Sequence, residues 1–127
     1  MVAGATTSLD IYAEVLRDPE LLAAIRDAAR RGVRVRIVVS PSDDFATEEA
    51  QLAAAGVAIR YSRTLYIHAK VIIADRERAF LGSQNLSATS LDLNRELGII
   101  VRDPISLARL SRTFELDFRT GKPREGP

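Results

Sequence analysis

The segment Val33-Arg34-Val35-Arg36-Ile37-Val38-Val39 constrains the fold more than any other stretch of the chain. Its β-branched residues alternate with arginine at first and then run unbroken, which is the pattern of a strand that becomes central towards its C-terminal end. Ahead of it, Asp18-Pro19-Glu20 offers an N-cap followed by a proline at the first helical position. Leu21, Leu22, Ile25 and Ala29 then recur at helical spacing, so a helix is predicted over 19–31, ended by Gly32. The same unit follows again: a turn-rich Ser40-Pro41-Ser42-Asp43-Asp44, an amphipathic helix over 47–55, Gly56 and a strand over 57–61.

Around this β-α-β-α-β core the remaining segments read as short strands and one long helix. Ser8 to Leu16, with Ile11, Tyr12 and Val15, is the first strand; 67–74 and 78–81 form a hairpin about Asp75-Arg76-Glu77; 97–101 is the last strand. Pro104 opens a helix to about Arg119, with Leu107, Leu110, Phe114 and Phe118 along one stripe. The expected architecture is α/β, with a mixed, mostly parallel β-sheet flanked by helices on both faces. A single domain over 1–120 is expected, with 121–127 as a frayed polar tail. Because the first strand starts almost at Met1, the chain is expected to be one part of something longer.

Composition removes several chemistries. Of 127 residues none is cysteine, which excludes a disulfide framework, a zinc ribbon and a thiolate nucleophile. A lone histidine, His68, excludes a histidine-pair metal site or a two-histidine proton relay within one copy. No run approaches the roughly 20 apolar residues of a membrane span, and the start lacks a basic segment leading into an apolar one, so the chain is expected to be cytoplasmic as expressed. Formal charge is only +1, with a pI near 8.2, below the range that marks a dedicated nucleic-acid binder. Asp43-Asp44 reads as a loop N-cap rather than a metal pair, and no metal or cofactor is expected.

The pattern breaks in Leu65-Tyr66-Ile67-His68-Ala69-Lys70-Val71-Ile72-Ile73-Ala74. On a strand His68 and Lys70 would share a face, about 6–7 Å apart. Burying a lysine beside a histidine is costly unless something pairs or binds them, although a solvated edge strand would also explain the pair. Asp75 falls on the opposite face or in the turn, suited to an ion pair with Arg76 or Arg78. Ser83 and Asn85, in Gly82-Ser83-Gln84-Asn85, offer a hydroxyl, an amide and loop N–H groups. With the Lys70 ammonium they suit two phosphate oxygens, with Gly82 allowing close approach of backbone to ligand; a plain turn is the alternative. Glu96, entering an apolar strand, is the candidate carboxylate to fix a tautomer of His68, or else a surface partner of Arg95 or Arg102.

Taken together, His68-x-Lys70, Asp75, Gly82-Ser83-x-Asn85 and Glu96 resemble the HKD motif of the phospholipase D superfamily with its trailing elements. The stretch from Asp10 to Val39 resembles the segment ahead of that motif. The resemblance implies a phosphodiesterase in which one histidine attacks phosphorus to form a phosphohistidine, a second motif's histidine protonates the leaving oxygen, and water or an alcohol resolves the intermediate without a metal. Carried over, His68 is nucleophile or general acid, Lys70 and Asn85 hold the phosphoryl oxygens with Ser83 in support, Glu96 orients His68, and Asp75 is mainly structural.

With one motif per chain, the resemblance implies that activity needs a second motif, from another copy in a homodimer or from a missing N-terminal half. Asn85-Leu86-Ser87 and Ser90 followed by Asn94-x-Glu96 resemble the lipid-acting and general branches, which favours a phospholipid over nucleic acid. The alternatives are an endonuclease, with Arg30, Arg31, Arg34 and Arg36 adding phosphate contacts, and a non-catalytic half-domain serving dimerisation.

Overall fold

A computed structural model describes residues 1–124. Two crossover units form its first half. β1 (Ser8–Tyr12) leads through α1 (Pro19–Arg30) to β2 (Arg34–Val39), and then through α2 (Ala46–Ala54) to β3 (Ala58–Tyr61). Antiparallel strands make up the second half: β4 (Lys70–Ala74), β5 (Arg78–Gly82) and β6 (Gly98–Val101), with a π-helical turn over Thr89–Leu93 and the final helix α3 (Pro104–Thr120). The strand order is β3-β2-β1-β4-β5-β6.

The sheet is mixed and its helices lie on both faces, as expected. Its parallel pairings are β1 with β2 and β2 with β3, and the other three are antiparallel, so the parallel part is one side of the sheet rather than most of it. The cause is the absence of crossover helices after β3: the chain re-enters beside β1 and then turns back on itself twice.

Sequence alternation assigns the two cores. Leu9, Ile11, Val35, Ile37, Ile72 and Ala74 face Leu22, Ile25 and Ala28 of α1 and Leu52 of α2. Tyr12, Val38, Val71, Ile73 and Ala79 face Leu107 and Phe114 of α3. The α1 start is built as read: the Asp18 carboxylate accepts from the Leu21 N–H at 2.7 Å, with Pro19 next. Gly32, at φ +90°, turns the chain out of the helix in a conformation that favours glycine.

Under α3, the Arg36 guanidinium is buried and forked onto Asp10 at 2.8 and 2.9 Å, with a third bond to Glu115 at 2.7 Å. It also lies over the Phe114 and Phe118 rings. Arg36 is therefore committed inside the fold, which overturns its place among candidate phosphate contacts. Arg30 sits beside Asp27 at 3.4 Å, and Arg31 donates to the Ala3 carbonyl at 3.1 Å.

The tail expected to fray is held as far as Arg124. Lys122 and Tyr61 exchange backbone hydrogen bonds, and Arg124 reaches Glu49 and Asp43, each at 2.8 Å. The rest of that tail, 125–127, lies outside the described residues.

Asp75 closes the β4–β5 turn. Asp75 and Arg76 both have positive φ, at 55° and 58°, and the Glu77 N–H returns to the Ala74 carbonyl at 3.0 Å. The Asp75 side chain does not pair with Arg76 or Arg78; it accepts the N–H groups of Thr6, Thr7 and Ser8, at 2.7 to 3.1 Å, and the Thr7 hydroxyl at 2.9 Å. Partial burial pushes its carboxyl up, but these donors outweigh it and hold the group well below the usual aspartate range. A lowered folded-state value means stabilisation that is present above the ordinary aspartate range and withdrawn as pH falls below it. Asp75→Asn keeps the tolerance for positive φ and loses the charge. It is expected to cost about 1–2 kcal/mol at neutral pH, with the gap from wild type closing in thermal melts as the buffer is acidified.

Candidate functional site

Register brings the site together at one end of the sheet. β1 ends there and β4 begins there, so Glu14, just past the end of β1, and Lys70, the first residue of β4, meet at the point where the chain has departed to β2 on one side and returned on the other, a place where α/β sheets open a crevice. Lys70 pairs with Gly82 and Gly82 with Gly98, so Ser83, which follows β5, and Glu96, two residues ahead of β6, leave the sheet at the same end as Lys70. The loop after β5 is tied in by Leu86, whose carbonyl accepts from Arg17 and Asp18 at 2.7 and 2.8 Å.

His68 lies just before β4 rather than on it, because Ile67 donates its N–H to the Ser40 hydroxyl at 2.6 Å instead of to a strand. Its imidazole is 74% exposed, open to a substrate or to a second chain. Lys70 is buried, and its ammonium donates to the His68 carbonyl at 2.8 Å and to Glu14 Oε2 at 2.7 Å. The same Glu14 oxygen lies 3.3 Å from His68 Nε2, while Glu14 Oε1 accepts from the Tyr66 hydroxyl at 3.1 Å. Partial burial pushes the Glu14 carboxyl up, but the Lys70 and Tyr66 hydrogen bonds, with the Lys70 and His68 charges, hold it below its ordinary value.

Glu14 is the residue that sequence reasoning missed. In Tyr12-Ala13-Glu14-Val15 nothing marks it except a carboxylate inside a segment read as strand. The expected strand stops at Tyr12, and only Leu16 pairs again, with Leu86. The cost of a buried lysine did imply a counter-ion, and this is it.

Glu96 does not take the place expected at His68. Its oxygens accept from the Ser83 hydroxyl, from Ser90 at 2.6 Å and from Asn94 at 3.4 Å. Hydrogen bonds from Ser83 and Ser90, with the nearby Lys70 charge, hold its carboxyl below the ordinary glutamate value. The π-helical turn places Ser90, which is buried and also accepts the Asn85 N–H at 2.9 Å. Asn85 Oδ1 is enclosed and has no hydrogen-bond partner among the described residues. Gly82 serves packing rather than ligand approach: a Cβ there would collide with the Phe80 ring and the Gln84 side chain, as one at Gly98 would with Phe80.

Asp75 stands at the other end of β4, about 16 Å along the strand from Lys70 at 3.3 Å per residue, and belongs to the N-terminal segment rather than to this cluster. A surface cavity of about 1010 Å³ between the β4–β5 turn and α3 contains none of the expected site residues. Among the described residues no three acidic or histidine side chains are grouped to hold a metal ion, and no helix is long and apolar enough to cross a membrane.

Residues 1–118 match the family described as "Cardiolipin synthase, PLD-like domain". Cardiolipin synthase B of Salmonella typhi is 37% identical over 106 residues, 78% of this chain and 24% of the relative. Cardiolipin synthase A of Pseudomonas aeruginosa (strain LESB58) is 32% identical over 108 residues, 80% of this chain and 22% of the relative. The chain thus spans about a quarter of the length of these relatives. In fold it is similar to Nuc, a phospholipase D family member from Salmonella typhimurium, with a TM-score of 0.89, 23% identity and coverage of 98% of this chain and 86% of that one. It is also similar to NucT from Helicobacter pylori, with a TM-score of 0.86, 18% identity and coverage of 97% and 86%. The chain belongs to the cardiolipin synthase, phospholipase D-like domain family of the phospholipase D superfamily.

Proposed function

We propose that this chain is one half of a phosphodiester-cleaving site that acts on phospholipids, with His68 as the group that either attacks phosphorus, displacing the leaving oxygen, or gives that oxygen its proton. The carrying observation is an exposed imidazole beside a buried lysine held by Glu14 and the His68 carbonyl, at the end of the sheet where Ser83 follows β5 and Glu96 precedes β6. Lys70 and Asn85 would receive the non-bridging oxygens. Ser83 and Ser90 fix Glu96 as a charged wall of the site. Donors already in place around a phosphoryl group stabilise charge that grows in the transition state without reorganisation.

A single histidine cannot serve both as acceptor of phosphorus and as acid for the leaving oxygen, so a second motif completes the site. The surface beside Glu96 supports this. Around edge strand β6 and the π-helical turn, Leu93 and Leu97 are exposed by 81% and 80%, and Ile99 and Ile100 by more than half, so the open edge carries apolar side chains of the kind that another body covers. A second copy of the chain, or another segment carrying the motif, would bring its histidine to the same cleft. An Ile99→Asp chain is therefore expected to keep its melting temperature within a few degrees, to sediment as a monomer and to lose turnover.

The experiment that tests the substrate class supplies phosphatidylglycerol vesicles and follows products by mass spectrometry. Phosphatidic acid signals water as acceptor, and a doubly phosphatidylated glycerol signals an alcohol. Plasmid nicking with no lipid product would overturn the phospholipid reading. Arg36, buried and engaged, weighs against a nucleic-acid groove.

A further inference from the structure

Glu14 occupies the position that a substrate needs. One carboxylate oxygen touches both the Lys70 ammonium, at 2.7 Å, and His68 Nε2, at 3.3 Å; the other is tethered by the Tyr66 hydroxyl at 3.1 Å. A phosphorus atom attacked by that imidazole nitrogen must approach to about 3–3.5 Å in a reactive geometry, which is the space Glu14 Oε2 fills. The two cannot share it, and an anionic carboxylate next to an anionic phosphodiester repels it.

We propose that Glu14 is an internal competitor for the phosphoryl group, a placeholder anion that keeps Lys70 paired in the empty site and must swing away when substrate binds. The proposal rests on the reading of His68 and Lys70 as phosphate-facing groups. The alternative role, a carboxylate that only positions the two, predicts the opposite sign when it is removed. The path of release is visible in the fold. Tyr66, the tether, is 70% exposed and lies in the irregular segment ahead of β4, and Glu14 lies in the irregular segment after β1, so both can move without breaking a strand. Around the Glu14 carboxylate the charged and titratable groups are Lys70, His68 and Tyr66, and Glu96 also feels the Lys70 charge. Its departure leaves Lys70 facing the incoming anion, with Glu96 still fixed by Ser83 and Ser90.

The test is a titration of the full chain with inorganic phosphate, read from the His68 ring protons by NMR, for wild type, Glu14→Gln and Tyr66→Phe. Glu14→Gln retains an acceptor for Lys70 and is expected to tighten phosphate about tenfold or more. Tyr66→Phe, on an exposed side chain that the fold does not need, loosens the tether and is expected to tighten it about two- to threefold. Unchanged or weaker phosphate binding in Glu14→Gln would overturn the proposal in favour of a positioning role. Absence of phosphate binding in all three chains would overturn it as well. In that case turnover of bis(p-nitrophenyl) phosphate by wild type separates the two failures: if turnover persists the site reading stands and the competitor falls, and if it is absent both fall.

Discussion

His68→Ala is expected to remove at least about 10³-fold of the turnover of a generic phosphodiester such as bis(p-nitrophenyl) phosphate, while leaving the melting temperature close to that of wild type. The two halves of this expectation come from one observation. The imidazole is 74% exposed and its ring neighbour, Tyr66, is exposed too, so little buried surface is lost with it. The chain has no other histidine and no cysteine, so no neighbour of comparable nucleophilicity near neutral pH can replace it. Parallel loss of structure, measured by circular dichroism, would show His68 to be structural; unchanged turnover would place the chemistry elsewhere.

Asp10→Ala is expected to be the most damaging single change to stability. Asp10 is 2% exposed and holds Arg36 through two bonds, and Arg36 in turn carries Glu115 and lies against two phenylalanine rings. Removing the carboxylate leaves a buried guanidinium with its best partner gone, at a cost of about 3–5 kcal/mol, or roughly 10–20 °C in Tm for a domain of this size. A doubly apolar replacement, Asp10→Leu with Arg36→Met, is expected to recover most of it, since the charge and its counter-charge leave together. Equal destabilisation by the double variant would mean that the pair contributes through geometry that an apolar pair does not reproduce.

The same ion pair shows where sequence was a good guide and where it was not. Val33 to Val39 announced a strand with a central end, and Pro19 and Gly32 marked the helix ahead of it, because propensity, caps and hydrophobic spacing are local properties. Arg36, alternating with valines, looked like a solvated or phosphate-facing stripe; only the return of α3 across that face, with Glu115 some eighty positions away, turned it into a buried cation.

In the site, His68 and Lys70 stood out because they interrupt an apolar run, and Ser83, Asn85 and Glu96 because their order resembles a known motif. Their partners were not legible. Glu96 is claimed by Ser83 and by Ser90, which a π-helical turn delivers, and no simple periodicity announces such a turn. Glu14 reaches Lys70 across fifty-six positions, through a β1–β4 pairing that spacing along the chain does not encode. Asp75 sits in the motif's span but binds the N-terminal segment, so its part of the pattern serves the fold.

The claim on which the functional reading depends is that two copies of the motif meet in one site. Mixing wild-type and His68→Ala chains at constant total concentration, after equilibration that allows exchange, tests it through turnover of bis(p-nitrophenyl) phosphate. If each site needs both imidazoles, activity follows the square of the wild-type fraction and falls to roughly one quarter in an equal mixture. A linear fall, to roughly one half, would mean that each chain works alone and would contradict the shared site.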